Sequence, residues 1–415
     1  MRERWRIHLA LAACWLLNAA VNAAPQLNGF AEWRGGLRLR DDARQPDAAT
    51  LDEARLQLDS SAAWKEVQFR SKVDFLYDGV DKKADIDPRE INASVSPVSA
   101  ADLKVGRQIL TWGVGDYLFI NDLFPKDWKS FLLGRDDEYL KAPSDAAKAS
   151  FFTDVANLDV VYTPRLDPDR YLDGERISFF NPRVDRLAGE DDAFPVEKRD
   201  EWFADDEIAA RLSRNLGGCD VALYGYHGFW KSPMGFDLVS GRATFPRLGV
   251  YGASARGNVI KGVGSLEAGY HDSLEDRSGS DPLIPNSQAR FLAGYEQEVV
   301  TDFTVGGQYY LERTMDYAAY RAALPDGTAP AVEDRHVLTL RLTWLAFHQN
   351  LRLSLFTFYS PSDNDAYLRP AAHYRIDDHW TASIGANLFR GESERTFFGQ
   401  FEDAANAFAS LRYGF

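Results

Sequence analysis

Phe30-Ala31-Glu32-Trp33-Arg34-Gly35-Gly36-Leu37-Arg38-Leu39-Arg40 is the stretch that decides how this chain folds. Trp33, Leu37 and Leu39 fall on one side of a two-residue period, and Glu32, Arg34, Arg38 and Arg40 fall on the other. Successive side chains of a β-strand point to opposite faces, so the segment is a strand with one apolar and one charged face. The next segments repeat it. Ala54, Leu56 and Leu58 oppose Glu53, Arg55, Gln57 and Asp59; Val67, Phe69, Val73, Phe75 and Tyr77 oppose Gln68, Arg70, Lys72 and Asp74. Ile91, Ala93 and Val95 then oppose Glu90, Asn92, Ser94 and Ser96. A wall that is apolar on one side and charged on the other suits a barrel with lipid outside and water inside.

Toward the C-terminus the apolar faces lengthen, as in Leu338, Leu340, Leu342 and Trp344, or Trp380, Ala382, Ile384, Ala386 and Leu388. Most segments approach the roughly 9–11 residues that a tilted strand needs to cross a bilayer. A soluble sandwich would use strands of about 5–6. The 415 residues are 45% apolar and 13% aromatic. Mean hydropathy is -0.35. Past the N-terminus no apolar run reaches the roughly 18 residues of a membrane helix, which excludes a helical membrane protein. It does not exclude a barrel, whose alternating strands average to a soluble-looking hydropathy.

Connections alternate between short, such as Trp64-Lys65 and Pro97 to Ala101, and long, including 79–88, 113–142, 165–204 and 360–367. Short periplasmic turns and long outer loops are the habit of outer-membrane barrels. Parity counted back from the C-terminus requires one strand between 102–112 and 157–164. Pro143 to Phe152 is the only candidate, and it brings the total to an even 18. The expected fold is therefore all-β, a transmembrane antiparallel up-and-down barrel. The ending Ala409, Leu411, Tyr413, Phe415 resembles the assembly signal of bacterial outer-membrane barrels. That implies the barrel-assembly machinery as a partner through Phe415, with outer-membrane lipid and lipopolysaccharide around the wall.

Residues 1–23 read as an export signal, with Arg2, Arg4 and Arg6 before the apolar run Leu9 to Leu17, leaving 24–415 as the barrel. Its removal takes the formal charge from -15 to -17, which argues against nucleic acid as a partner. Cys14 leaves with it, so Cys219 remains without a disulfide partner. No paired-Cys, HExxH or phosphate-loop motif occurs, and no cofactor is expected. His271-Asp272-Ser273 holds three catalytic residue types, but adjacent side chains point apart and rarely form a triad.

The functional candidates lie on the wet face. Arg34, Arg38, Arg55, Arg70, Lys72 and Lys104 form a basic stripe interleaved with Glu32, Glu53, Asp59, Asp74 and Glu90. It is either a self-neutralising ladder or a pore wall that draws anions, since rings of charge set selectivity. The segment 113–142 is too apolar to wave in water: Tyr117, Phe119, Phe124, Trp128 and Phe131 need burial, inside the barrel as a constriction or over its rim as a lid. The acidic loop 165–204 reads as solvated surface. Val105 to Gly113, VGRQILTWG, resembles porin-like proteins of the alginate-export type. The resemblance implies a passive channel with Lys104 and Arg107 as pore residues. Arg107 shares the parity of Val105 and Ile109, so it faces the lumen only if a bulge intervenes. The function expected is a passive channel for small hydrophilic solutes, anionic ones or saccharides among them. The alternative is a scaffold barrel that sheaths a partner such as an electron carrier or an export-machine component.

Overall fold

The computed structural model describes residues 26–182, 184–193 and 195–415, so the expected export signal at 1–23 lies outside the described residues. Strands with one apolar and one polar face gain most when the sheet closes, because closure leaves no unpaired edge. Eighteen strands do so. The first six are β1 (Gln26–Arg38), β2 (Ala49–Trp64), β3 (Val67–Asp78), β4 (Lys83–Val98), β5 (Ala101–Ile109) and β6 (Pro143–Phe152). Next come β7 (Asn157–Thr163), β8 (Glu207–Leu216), β9 (Cys219–Phe229), β10 (Arg247–Val259), β11 (Gly262–Ser273) and β12 (Gln288–Val300). The wall is completed by β13 (Phe303–Thr314), β14 (Asp334–Ala346), β15 (Leu351–Ser360), β16 (Asp365–Arg375), β17 (Trp380–Gly391) and β18 (Asn406–Gly414). Each pairs antiparallel with its chain neighbours, and β1 closes on β18 with Phe30 opposite Gly414 and Arg38 opposite Asn406. The strand demanded by parity is present over Pro143–Phe152, between β5 and β7.

The burial pattern is inverted relative to a soluble protein. Trp33, Leu37, Leu56, Tyr77, Trp344 and Leu411 are exposed on the outer wall, whereas Glu32, Arg34, Glu53, Arg55, Gln57 and Asp74 are buried inside. Two connections are shorter than their composition suggests, because β4 already begins at Lys83 and β16 at Asp365. Charged residues such as Asp87 and Arg89 look loop-like in sequence but serve the lumen: Asp87 accepts both 2.8 Å bonds of an Arg170 nitrogen, and Arg89 donates to Glu138 O at 2.8 Å.

What fills the lumen is the segment between β5 and β6. It carries one short helix, α1 (Trp128–Leu133), started by Asp127 accepting from Ser130 N and ended by Gly134 at φ 86°. Phe131, Leu132, Leu133 and Leu140 pack against Phe356, Phe358, Tyr367, Phe389 and Phe408 from the inner faces of β15–β18. The segment is thus inside the barrel, and the lid-over-rim alternative is set aside. The loop 165–204 also departs from expectation, since Leu172, Ile177 and Phe179 join the same cluster. Two of its charged residues are paired, Asp173 with Lys129 of the insert at 2.6 Å and Arg176 with Asp81 of the β3–β4 turn at 2.5 Å. Composition marked it as solvated; ion pairing with the insert draws it inward.

Candidate pore constriction

The inserted segment presents apolar side chains to the strands that can bury them. Tyr117 stands edge-on to Phe356 with centroids 4.8 Å apart and lies 5.2 Å from Phe131. Phe119 and Trp128 meet at 6.0 Å. Phe124 belongs to a second cluster with Leu110, Trp230 and Val250, edge-on to Trp112 at 5.0 Å. All five aromatic residues singled out in the sequence are therefore placed in the lumen.

Charges of the segment meet opposite charges on the wall. Asp116 meets Arg341 of β14 at 2.6 Å, Asp137 meets Arg369 of β16 at 2.9 Å, and Asp136 lies between Arg34 of β1 (2.5 Å) and Arg412 of β18. Arg135 reverses the polarity and donates to Glu53 of β2 at 2.9 Å. Burial raises the Asp136 and Asp137 carboxyls, but Arg34 with Arg412, and Arg369, outweigh it, so both sit below the usual carboxylate range. Burial and then the Asp137 charge push the Tyr117 phenol up to about 12. Together these pairs hold the insert as a fixed partition.

The basic stripe divides into two populations. Arg34 and Arg55 are buried ion-pair members. Arg34 also donates to Gly134 O at 2.7 Å, while Arg55 meets Asp74 at 2.6 Å and lies 4.2 Å over the Tyr139 ring. Arg38 donates to Arg176 O at 3.3 Å, high under the outer loop. These three hold the filling in place. Arg70, Lys72 and Lys104 line a wetter wall: Arg70 touches Asp59 at 3.0 Å and Glu90 at 3.3 Å, Lys72 touches Asp59 at 3.8 Å, and Lys104 touches Glu90 at 3.7 Å.

Arg107 is a correction. The β4–β5 register runs without a shift from Ile91–Arg107 to Val95–Leu103, and no bulge turns Arg107 inward. It stays on the face of exposed Val105, pairing with Asp145 directly opposite at 2.9 Å and donating to Pro88 O at 2.7 Å. At that end of the barrel the face is covered by the loop after β7, where Arg165 reaches Asp145 at 3.4 Å. Arg107 is a rim residue and not part of the pore wall.

Sequence reasoning missed Lys148 of β6, which lies directly across from Lys104. Its ammonium meets Asp159 at 3.2 Å, and Arg211 of β8 reaches the same carboxylate at 3.8 Å. Like charges face to face on a strand pair are unfavourable and need a compensating use or partner. It also missed the arginines on the inner faces of the later strands, Arg256, Arg341, Arg369 and Arg412. They occupy inward parity in segments whose apolar faces dominate the pattern.

Between the insert and β10–β15 remains a cavity of ≈ 400 Å³ bordered by Asp116, Tyr117, Arg256, Glu296, Gln308 and Arg341. Arg341 is already engaged by Asp116. Arg256 has no ion-pair or hydrogen-bond partner among the described residues, which leaves its donors for water or solute. A larger concavity of ≈ 1170 Å³ lies along Trp33, Leu56, Phe75 and Trp380 on the apolar outer wall, away from the lumen. His271-Asp272-Ser273 splits as alternation requires: His271 is buried against Ile120 O at 3.0 Å, while Asp272 bonds Arg277 on the other face at 3.0 Å.

No protein-family profile matches the chain, and no curated protein does. Among solved structures it is similar to OccD3 (OpdP) of Pseudomonas aeruginosa, at 10% identity and TM-score 0.57, over 96% of this chain and 92% of that one. It is similar to Pseudomonas aeruginosa OccK2 (OpdF), solved in complex with glucuronate, at 10% identity and TM-score 0.57, over 95% and 99%. Acinetobacter baumannii OccAB3 follows at 11% identity and TM-score 0.55, over 94% and 99%. These neighbours are outer-membrane porins, and the chain has their fold: a closed antiparallel barrel of 18 strands.

Proposed function

We propose that the chain is a passive outer-membrane channel for small hydrophilic solutes, anionic solutes and acidic saccharides foremost. The observation that carries this is the wall left wet beside the insert, where Lys104 and Lys148 face each other and Arg70 and Arg211 flank them, with Arg256, unpaired among the described residues, bordering the cavity beside the insert. Cations along a narrow passage attract anions and bind them weakly at successive points, which is what passive conduction needs. The resemblance of Val105 to Gly113 to alginate-export-type porins and the glucuronate held by OccK2 support the same solute class. In this scheme residues 1–23 are a cleaved export signal and 24–415 insert in the outer membrane among lipid and lipopolysaccharide. Phe415 serves the assembly machinery; its amide bonds Gly29 O at 3.0 Å, extending the β18 ladder to the last residue. A barrel sheathing a partner is disfavoured because the chain's own segment 113–142 fills much of the lumen.

The test is reconstitution. Purified barrel in planar bilayers should give discrete conductance steps with an anion preference, and liposomes carrying it should swell faster in glucuronate than in a neutral hexose. A barrel that folds yet gives neither steps nor swelling would overturn the proposal.

A further inference from the structure

The insert is seated at one place on the wall where backbone, shape and charge all converge. Glu267 of β11 is 1% exposed and faces the lumen. Its Oε2 accepts the amides of Val114 (2.8 Å) and Gly115 (3.1 Å). Its Oε1 accepts the amide of Asn121 (2.9 Å) and the Asn121 Nδ2 (3.0 Å). No guanidinium or ammonium is among these partners; the carboxylate charge is met by oriented N–H groups alone, as in an anion nest. Four residues beyond on the same face, His271 bonds Ile120 O at 3.0 Å.

The wall is also carved to receive the segment's tip. Gly252 of β10 and Gly269 of β11 lie directly opposite each other. A Cβ on Gly252 would lie 1.8 Å from Asn121 Oδ1, and one on Gly269 would lie 2.7 Å from Ile120 Cγ2. A facing glycine pair weakens a strand pair, and it is kept where another backbone must approach closely.

We propose that Glu267 is the positioning residue of the constriction: with the Gly252–Gly269 notch it fixes Val114–Asn121, and so sets where Asp116 and Tyr117 border the passage. This rests on the channel reading above only for its consequence in conduction. Asp116 and Tyr117 lie between the amides that Glu267 holds, so their placement against Arg341 and Phe356 is inherited from it. The aromatic packing of α1 holds the rest of the insert independently.

The experiment uses the full barrel, folded in detergent or lipid and checked by heat-modifiable gel migration, with hydrogen exchange as one readout and single-channel conductance as the other. In Glu267→Ala, protection at Val114, Gly115 and Asn121 should fall about tenfold or more, since each amide loses a charge-assisted bond, while α1 keeps its protection. Glu267→Gln has one acceptor oxygen and one amide NH2 group, so it should rescue one pair of donors and repel the other. Gly269→Val, which blocks the notch without touching the carboxylate, should release the same three amides. In all three variants the conductance step should change size or become noisy. Wild-type exchange at these amides in both Glu267→Ala and Gly269→Val would overturn the proposal. A wild-type barrel that does not conduct would overturn the channel reading, and the exchange result would still decide the role of Glu267.

Discussion

Replacing Lys104 and Lys148 together by Gln should abolish most of the anion preference. The two ammonium groups face each other across β5 and β6, and their contacts with Glu90 at 3.7 Å and Asp159 at 3.2 Å leave them partly exposed. An anion passing about 7 Å from each gains roughly 0.6 kcal/mol per charge in water, which a Debye length of about 10 Å at 0.1 M salt reduces to about 0.3. Losing both charges therefore costs an anion about 0.6 kcal/mol, close to RT, and relieves a cation by as much. The anion-to-cation permeability ratio should drop about sevenfold, because both factors of e apply. At about 59 mV per decade for a monovalent ion, that corresponds to a reversal potential shifted by roughly 35–40 mV in a tenfold salt gradient. At 1 M salt, where the Debye length is about 3 Å, most of the shift should vanish. A double variant that folds and keeps the wild-type reversal potential within a few millivolts at low salt refutes the basic wall as the source of selectivity.

Arg55→Ala should act on stability and leave selectivity almost unchanged, because it takes the ion-pair partner from buried Asp74, while Glu53 keeps Arg135; a loss of about 3–5 kcal/mol is expected in urea unfolding. Arg107→Gln, on the outer rim, should leave conductance and ion preference at wild-type values, and any shift in reversal potential would contradict its placement. Asp136 and Asp137 have depressed folded-state carboxyl values, so their contribution is fully present above about pH 4 and is lost as pH falls through those lower values. Protease protection of the insert should accordingly stay level from neutral pH to about 4 and decline below. Asp167, in the loop after β7, is raised to about 6 by burial and then by the Asp145 charge. The folded state holds this carboxyl best in its protonated form, so its penalty is absent below about pH 4, grows between about 4 and 6 and is complete above; Asp167→Asn should raise the thermal midpoint most at pH 8, about half as much at pH 5 and little at pH 4 or below.

Period-two alternation is a local property, and it carried the architecture because a strand with lipid on one side cannot slip by one residue without inverting every side chain. Trp33 against Arg34, Leu56 against Arg55 and Leu411 against Arg412 state inside and outside residue by residue, and chain parity then required Pro143–Phe152. The composition of 113–142 likewise announced a segment in need of burial, and the parity of Arg107 already opposed its place in the pore. The rest depended on groups distant in sequence. Whether a lumen-facing arginine is free or spent is decided by the carboxylate that meets it, and Arg34 meets Asp136 some hundred residues on. Glu267 and the Gly252–Gly269 notch carry no local pattern at all; their meaning arises from Val114–Asn121, brought to them by closure of the barrel and return of the chain into it. A closed wall with a wet interior is legible along the chain, because alternation acts between neighbours. Which charges face water is not, because pairing inside a barrel is settled by which strands and which insert come to share the lumen.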